Sequence, residues 1–254
     1  MNFKKHTSLQ LLRITLSLCV VFCCLILNGC QTLVASNVDS NGIYQSRAIH
    51  SADGIGKLYL GREIAKVMGH TEALWLERPS REFEEQPTKL IDAFNLKPTD
   101  VIADIGAGTG YLSFRIAQKV PLGKVLAVDI QPEMLDIINF LKKENNITNV
   151  EPILGDIATP KLPLNSVDLV LMVDTYHELS NPYEMMQEVV KALKLSGRVV
   201  LVEYRRENPF IPIKALHKMT QKQVQKEMAA VGLQWSETQS FLPNQHLMIF
   251  EKIA

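Results

Sequence analysis

The segment Asp104-Ile105-Gly106-Ala107-Gly108-Thr109-Gly110 sets three glycines at alternate positions behind an acid. Glycine reaches backbone conformations closed to other residues and leaves room for a close neighbour, so this loop suits a ligand that lies against the main chain. The dinucleotide fingerprint needs its third glycine five positions after the first; here the spacing is two and two, which disfavours a nicotinamide oxidoreductase. Three further groups could do chemistry: Asp129, Asp156, and a cluster comprising Asp174, Tyr176, His177, Glu178, Glu203 and Tyr204. His177 is the candidate base or acceptor-orienting group, since imidazole titrates near neutral pH; the same histidine also reads as a capping or packing residue. No metal is expected, because His177-Glu178 does not continue to a second histidine four residues on, where Asn181 stands, and His50, His70, His217 and His246 are scattered.

The elements that must position these residues alternate in character. Short apolar runs at Val101–Ala103, Val125–Val128, Val150–Leu154, Leu169–Val173 and Val199–Val202 are separated by helical patterns such as Met134, Leu135, Ile138, Leu141 and Met185, Val189, Leu193. Strands apolar on both faces, each followed by a helix, specify an α/β fold with a doubly wound, mostly parallel sheet. Gln221 to Val231 reads as a helix, and Leu233–Phe241 and Leu247–Phe250 as a closing hairpin. Each acid or glycine above follows a strand, at the edge where ligands bind such sheets. Ahead of the sheet, residues 31–53 read as a tether and 54–87 as a helical cap. In that cap Ile55, Leu58, Tyr59, Leu60, Ile64, Val67 and Met68 follow helical spacing. The charged RPSREFEEQP segment, with Tyr59, Arg62, Trp75, Arg78, Glu82, Glu84 and Glu85, reads as a lid or a cover for a sheet face.

The glycine loop with its leading acid resembles the first motif of class I S-adenosylmethionine-dependent methyltransferases. Nineteen residues after Gly110 the strand KVLAVD ends in Asp129, and the Gly155-Asp156-Ile157 turn, the strands ending VLMVDTYHEL and VVLVEY, and the hairpin follow in that family's order. The likeness covers residues 88–254. It is nearest to the methyltransferases of quinone biosynthesis and phospholipid N-methylation, and nearer still to bacterial proteins sharing GREIAKVMGH and WLERPSRE. The resemblance implies a seven-stranded Rossmann-like domain at 88–254 and S-adenosyl-L-methionine as cofactor. It also implies a binding set of Asp104, Gly106, Ala107, Gly108, Gly110, Asp129, Ile130, Asp156 and Ile157. A carboxylate accepts two hydrogen bonds from a vicinal diol and repels phosphate, which suits Asp129 to a bare ribose; Asp104 suits the ligand's ammonium and Asp156 the adenine amino group. His177, Asp174, Glu203 and Tyr204 are the candidate catalytic residues beside a small or lipid-like acceptor. Asp174 also reads as a cofactor contact and Glu178 as a solvated first-turn acid. The N,D-P-P-aromatic signature of DNA and protein amide methyltransferases is absent at this position, which counts against those acceptors.

Of 27 basic and 27 acidic residues, Lys4, Lys5 and Arg13 precede an uncharged apolar run, Ile14–Leu27, so the remainder carries a net charge of −3. No basic block exists, and nucleic acid is not expected as a partner. The run is signal-length, short of the roughly 20 residues of a membrane-spanning helix. Leu27-Asn28-Gly29-Cys30 resembles a lipoprotein processing box, so residues 1–30 read as a targeting segment that leaves the domain lipid-anchored on Cys30, or held by an uncleaved signal anchor, outside the cytoplasm. All four cysteines, Cys19, Cys23, Cys24 and Cys30, lie in this segment, so no disulfide framework follows it. Two function classes remain: a membrane-tethered methyltransferase, and a non-catalytic lipoprotein that binds a nucleoside or S-adenosylmethionine.

Overall fold

A computed structural model describes residues 36–39 and 42–252. The apolar run Ile14–Leu27 and Cys30 lie outside the described residues, among which no helix is long and apolar enough to cross a membrane.

The described residues begin with a four-stranded antiparallel sheet, β1 (Ser36–Val38), β2 (Tyr44–Arg47), β3 (Gly54–Tyr59) and β4 (Arg62–Ala65), in that order. This corrects two expectations. The tether contributes two strands, and the helix expected from Ile55 to Met68 is a hairpin. Leu60 and Gly61 both take positive φ, 48° and 94°, the geometry of a tight two-residue hairpin turn whose twist matches its strands. In β3 the buried face is Gly54, Gly56, Leu58; two of its three members lack side chains, so the period of two does not show as alternating hydrophobicity. A Cβ on Gly54 would lie 1.9 Å from Glu63 Oε1, so any larger residue there displaces the Glu63 carboxylate.

Short helices follow: a 3-10 turn at His70–Glu72, α1 (Ala73–Leu76), α2 (Arg81–Glu84) and α3 (Pro87–Ala93). Next come β5 (Val101–Ile105), α4 (Tyr111–Lys119), β6 (Lys124–Asp129), α5 (Pro132–Glu144), β7 (Val150–Leu154), β8 (Val167–Val173), α6 (Pro182–Ala192), β9 (Leu193–Tyr204), α7 (Gln221–Ala229), β10 (Leu233–Gln239) and β11 (Gln245–Lys252). The seven-stranded sheet has the order β10-β11-β9-β8-β5-β6-β7. Strands β5 to β9 are parallel, and β10 and β11 close the sheet as an antiparallel hairpin.

Each central strand feeds two cores. In β8, Leu169 and Leu171 pack on one face while Val170 and Met172 pack on the other; β9 divides the same way, Val200 and Val202 against Val199 and Leu201. All eight are at most 1% exposed, each stabilising the fold by about 1.5–3 kcal/mol relative to exposure. Strand order reverses at β5, which lies between β6 and β8. A crevice forms at such a switch point, beyond the carboxyl ends of the strands.

The N-terminal sheet is fastened over the start of α6 and the turn before it. Tyr44 Oη donates to Glu184 Oε2 at 2.6 Å, and Lys57 Nζ donates to Ser180 O at 2.8 Å.

Candidate functional site

The crevice at the switch point has a volume of about 530 Å³, within the usual size range of small-molecule sites. Asp104, Gly106, Ala107 and Gly108 form one wall, Asp129, Ile130, Asp156 and Ile157 a second, and Asp174, His177 and Tyr204 a third. Gly110 lies outside the lining and begins α4 with φ 83°.

The glycine loop leaves β5 with positive φ at Gly106 (75°) and Gly108 (55°). Gly106 N and Ala107 N both donate to Val128 O, at 2.8 and 3.0 Å, tying the loop to β6. The close neighbours of these glycines come partly from the protein. A Cβ on Gly106 would lie 2.3 Å from the Thr175 side chain, and one on Gly108 would lie 2.6 Å from Leu76 Cδ1. The far end of Leu76 therefore sits over the loop, and a ligand lying along Gly108 shares that space with a flexible methyl group.

Asp129 is 6% exposed at the tip of β6. Its Oδ2 accepts from Gly108 N and its Oδ1 from Gln131 N, both at 2.9 Å, so it anchors the glycine loop and starts α5. Burial pushes its carboxyl up, against the backbone donors that favour ionisation. A carboxylate offers about four acceptor positions, which leaves one on each oxygen for a diol. Asp156 is exposed and turns its Oδ1 back on Ile157 N at 2.6 Å.

Asp104 is 3% exposed and accepts from Ser113 Oγ at 2.6 Å. Burial raises its carboxyl to about 6, outweighing the Ser113 hydrogen bond and the positive charge of Arg81. An acid held above its unfolded value of about 3.9 contributes stability that is complete below that value and lost as pH rises through about 6. Urea unfolding of Asp104→Asn should therefore show the variant gaining stability relative to the wild-type chain between pH 4 and pH 7. Parallel pH profiles for the two proteins would rule this environment out.

At the other end of the crevice Asp174 leaves β8 with φ 50°, an uncommon conformation for a residue other than glycine. Its Oδ2 accepts from Gln245 Nε2 at 2.6 Å, while Oδ1 is buried without a hydrogen-bond partner. Burial, with the charges of Glu85 and Glu203, pushes this carboxyl well above the usual range. Tyr204 turns from β9 into the crevice and donates from its hydroxyl to Glu85 Oε1 at 2.9 Å. Glu203, its neighbour on the strand, points away, does not line the crevice and is fully buried. It supports His177, accepting from His177 N at 3.3 Å and pairing its Oε2 with His177 Nδ1 at 2.7 Å.

His177 has no free nitrogen. Its Nε2 lies 3.0 Å from Nδ1 of His217, which is forty residues on. Burial disfavours the imidazolium, but the Glu203 charge and hydrogen bonds to Glu178 and Glu203 outweigh it and push the ring up to about 10. Glu178, read as a solvated acid, is part of the same cluster: its Oε1 is 3.1 Å from His217 Nδ1 and its Oε2 accepts from Met68 N at 3.0 Å. Burial opposes its ionisation, yet contacts with His177 and His217 hold its carboxyl at about 2.

The cap completes the site with Trp75, from the segment that reads as a lid or cover, and with Leu76 and Arg81, which carry no local sequence signal for binding. Trp75, Leu76 and Arg81 line the crevice. Arg81 Nε donates to Glu85 Oε2 at 2.7 Å, and Arg78 contacts Glu85 as well. The sequence signal that marks this pair is the i,i+4 spacing of Arg81 and Glu85 within the RPSREFEEQP run.

These residues fit the adenosyl group that the resemblance implies. Asp129 keeps acceptor capacity beside the crevice, and the unpartnered Asp174 Oδ1 belongs to a residue lining it.

Comparison with known proteins agrees with this geometry. An uncharacterized methyltransferase-like protein of Schizosaccharomyces pombe is 31% identical over 148 residues, 58% of this chain and 55% of that protein. The demethylmenaquinone methyltransferase of Chlamydia muridarum is 28% identical over 121 residues, 48% of this chain and 52% of that protein. The chain thus spans about half the length of these curated relatives. Among solved structures, an S-adenosylmethionine-dependent methyltransferase from Aquifex aeolicus superposes with a TM-score of 0.68 at 23% identity, covering 72% of this chain and 98% of that one, a likeness of fold. The family model described as "Methyltransferase domain" matches residues 96–249, from just before β5 into β11, and the chain belongs to the methyltransferase domain family.

Proposed function

We propose that this protein transfers a methyl group from S-adenosylmethionine to a small or lipid-like acceptor held at the tips of β8 and β9. The observation that carries this reading is Asp129, a buried carboxylate at the tip of β6 that lines the switch-point crevice and accepts one backbone hydrogen bond on each oxygen. When bound, the cofactor supplies a methyl group on a sulfonium, a centre already activated for attack. The protein's own task is then alignment and exclusion of water. Asp129 holds a ribose diol, Asp104 meets an ammonium, and Trp75, Leu76 and Arg81 cover the crevice. Asp174, Tyr204 and the His177 cluster surround the acceptor end. The likeness to a demethylmenaquinone methyltransferase supports a quinone-like, membrane-partitioned acceptor, and the apolar run before Cys30 supports a tether on the membrane that would hold the domain near it.

Calorimetric titration of the full chain with S-adenosylhomocysteine should give micromolar binding, about −8 kcal/mol. Incubation with donor labelled in its methyl group and a membrane lipid extract should move label into the lipid fraction. Binding without transfer would favour the non-catalytic reading, and absence of binding heat would sink both.

A further inference from the structure

We infer that His177, Glu178 and His217 form a binding site for one divalent transition-metal ion at the acceptor end of the crevice. The facing atoms are His177 Nε2, His217 Nδ1 and Glu178 Oε1, all within 4.8 Å of one another. Their separations are 3.0 Å between the two nitrogens, 3.1 Å from His217 to Glu178 and 3.7 Å from His177 to Glu178. Ligands bonded at about 2.1 Å to one ion stand about 3.0 Å apart in an octahedron and about 3.4 Å apart in a tetrahedron. The triangle is thus the right size to hold one metal ion.

The outer atoms strengthen the assignment. Each histidine turns its other nitrogen to a carboxylate: His177 Nδ1 to Glu203 Oε2 at 2.7 Å, and His217 Nε2 to Asp53 Oδ2 at 3.0 Å. Asp53 Oδ2 is buried and makes no hydrogen bond of good geometry. A carboxylate behind a histidine fixes its tautomer and aims the opposite nitrogen at the metal. His177 has that support through its hydrogen bond to Glu203, and His217 has the Asp53 carboxylate at contact distance, on residues brought together from the loop before β3, β9 and the loop after β9. Lys214 Nζ holds Asp53 Oδ1 at 2.8 Å, which keeps the outer carboxylate in place.

The donor set selects the ion. Two imidazoles and one carboxylate suit zinc, iron(II) or cobalt(II) better than calcium or magnesium, which prefer oxygen donors throughout. All three ligand residues line the crevice, so further coordination positions open toward it. Resting on the proposed methyl transfer, this geometry favours an acceptor that presents an oxygen, a hydroxyl or an enol, to the ion.

Full-length protein stripped with a chelator and titrated with zinc chloride alone should bind one equivalent with micromolar or tighter affinity. His217→Ala and the near-isosteric Glu178→Gln should each weaken binding at least tenfold, with the exposed His70→Ala unchanged as a control. Cobalt(II) should give visible absorption in the wild-type protein that is lost in His217→Ala. Binding as tight in both ligand variants as in the wild type, or no stoichiometric binding at all, overturns the site. S-adenosylhomocysteine titration of the same samples separates the two readings. Nucleoside binding without zinc binding removes only the metal site, and zinc binding without nucleoside binding removes only the methyltransferase assignment.

Discussion

Asp129→Ala is expected to lower S-adenosylhomocysteine affinity by about two orders of magnitude. The carboxylate presents one free acceptor position on each oxygen, and hydrogen bonds involving a charged group contribute about 1.5–3 kcal/mol each. Two such bonds to a diol, discounted for water that replaces the lost groups, leave about 3 kcal/mol, or roughly a hundredfold. The same substitution releases Gly108 N and Gln131 N from their acceptor, so part of the loss arises from a loosened glycine loop. Asp129→Asn keeps the shape but not the charge: the amide oxygen can still accept from one backbone donor, while the amide nitrogen faces the other. Affinity in Asp129→Asn should fall at least tenfold, and the unfolding midpoint should fall as well, because one buried donor–acceptor pair becomes donor against donor. Asp156→Ala serves as the contrast, because that side chain is exposed and occupied with its own turn; its effect should stay within about fivefold. Calorimetry with Asp129→Ala binding as tightly as the wild type would falsify the ribose assignment and leave the crevice without its central contact.

The parts of this molecule legible in the sequence are those whose signal is local. The parallel sheet showed because β5, β6, β8 and β9 are buried on both faces and so read as unbroken apolar runs. The glycine loop and Asp129 showed because backbone geometry and strand-end position demand particular residues at fixed spacing. The N-terminal hairpin did not, because Gly54 and Gly56 occupy inward positions without apolar side chains, while Ile55, Leu58 and Tyr59 happen to fall at helical intervals. The acceptor end was half legible. His177, Glu178 and Tyr204 follow strands and could be found, but His217 belongs to a 3-10 turn after β9 and Asp53 to the loop before β3. Nothing in either segment marks it as a neighbour of the other. The role of Glu203 was misread for a related reason: period-two alternation along β9 sends Tyr204 into the crevice and Glu203 behind it, and sequence alone does not say which.

The longest of these connections also predicts the largest change in stability. Arg62, on β4, donates from Nε and Nη2 to the two oxygens of Glu227 on α7, at 2.7 and 2.8 Å, and from Nη1 to His177 O at 3.0 Å. The pair is buried, with side-chain exposure of 5% and 0%. Burial works against the guanidinium's charge, but the Glu227 carboxylate overrides it and holds Arg62 above its ordinary range. Glu227 also accepts from Gln223 Nε2 at 2.8 Å, so removing Arg62 leaves a buried carboxylate with a single neutral donor. Breaking such a pair from one side costs about 3–5 kcal/mol, whereas replacing both partners with apolar groups is often close to neutral. Arg62→Met and Glu227→Leu should each lower stability by about that amount, which for a domain of this size is roughly 10 °C in Tm. The double variant should recover most of the loss, giving a coupling energy well above the few tenths of a kcal/mol expected of independent sites. Because Nη1 also fixes the His177 carbonyl, the double variant should fold yet bind zinc more weakly than the wild type. Additive losses below about 1 kcal/mol from the single variants would mean that the N-terminal sheet merely covers the methyltransferase domain, and that the position of His177 is set without it.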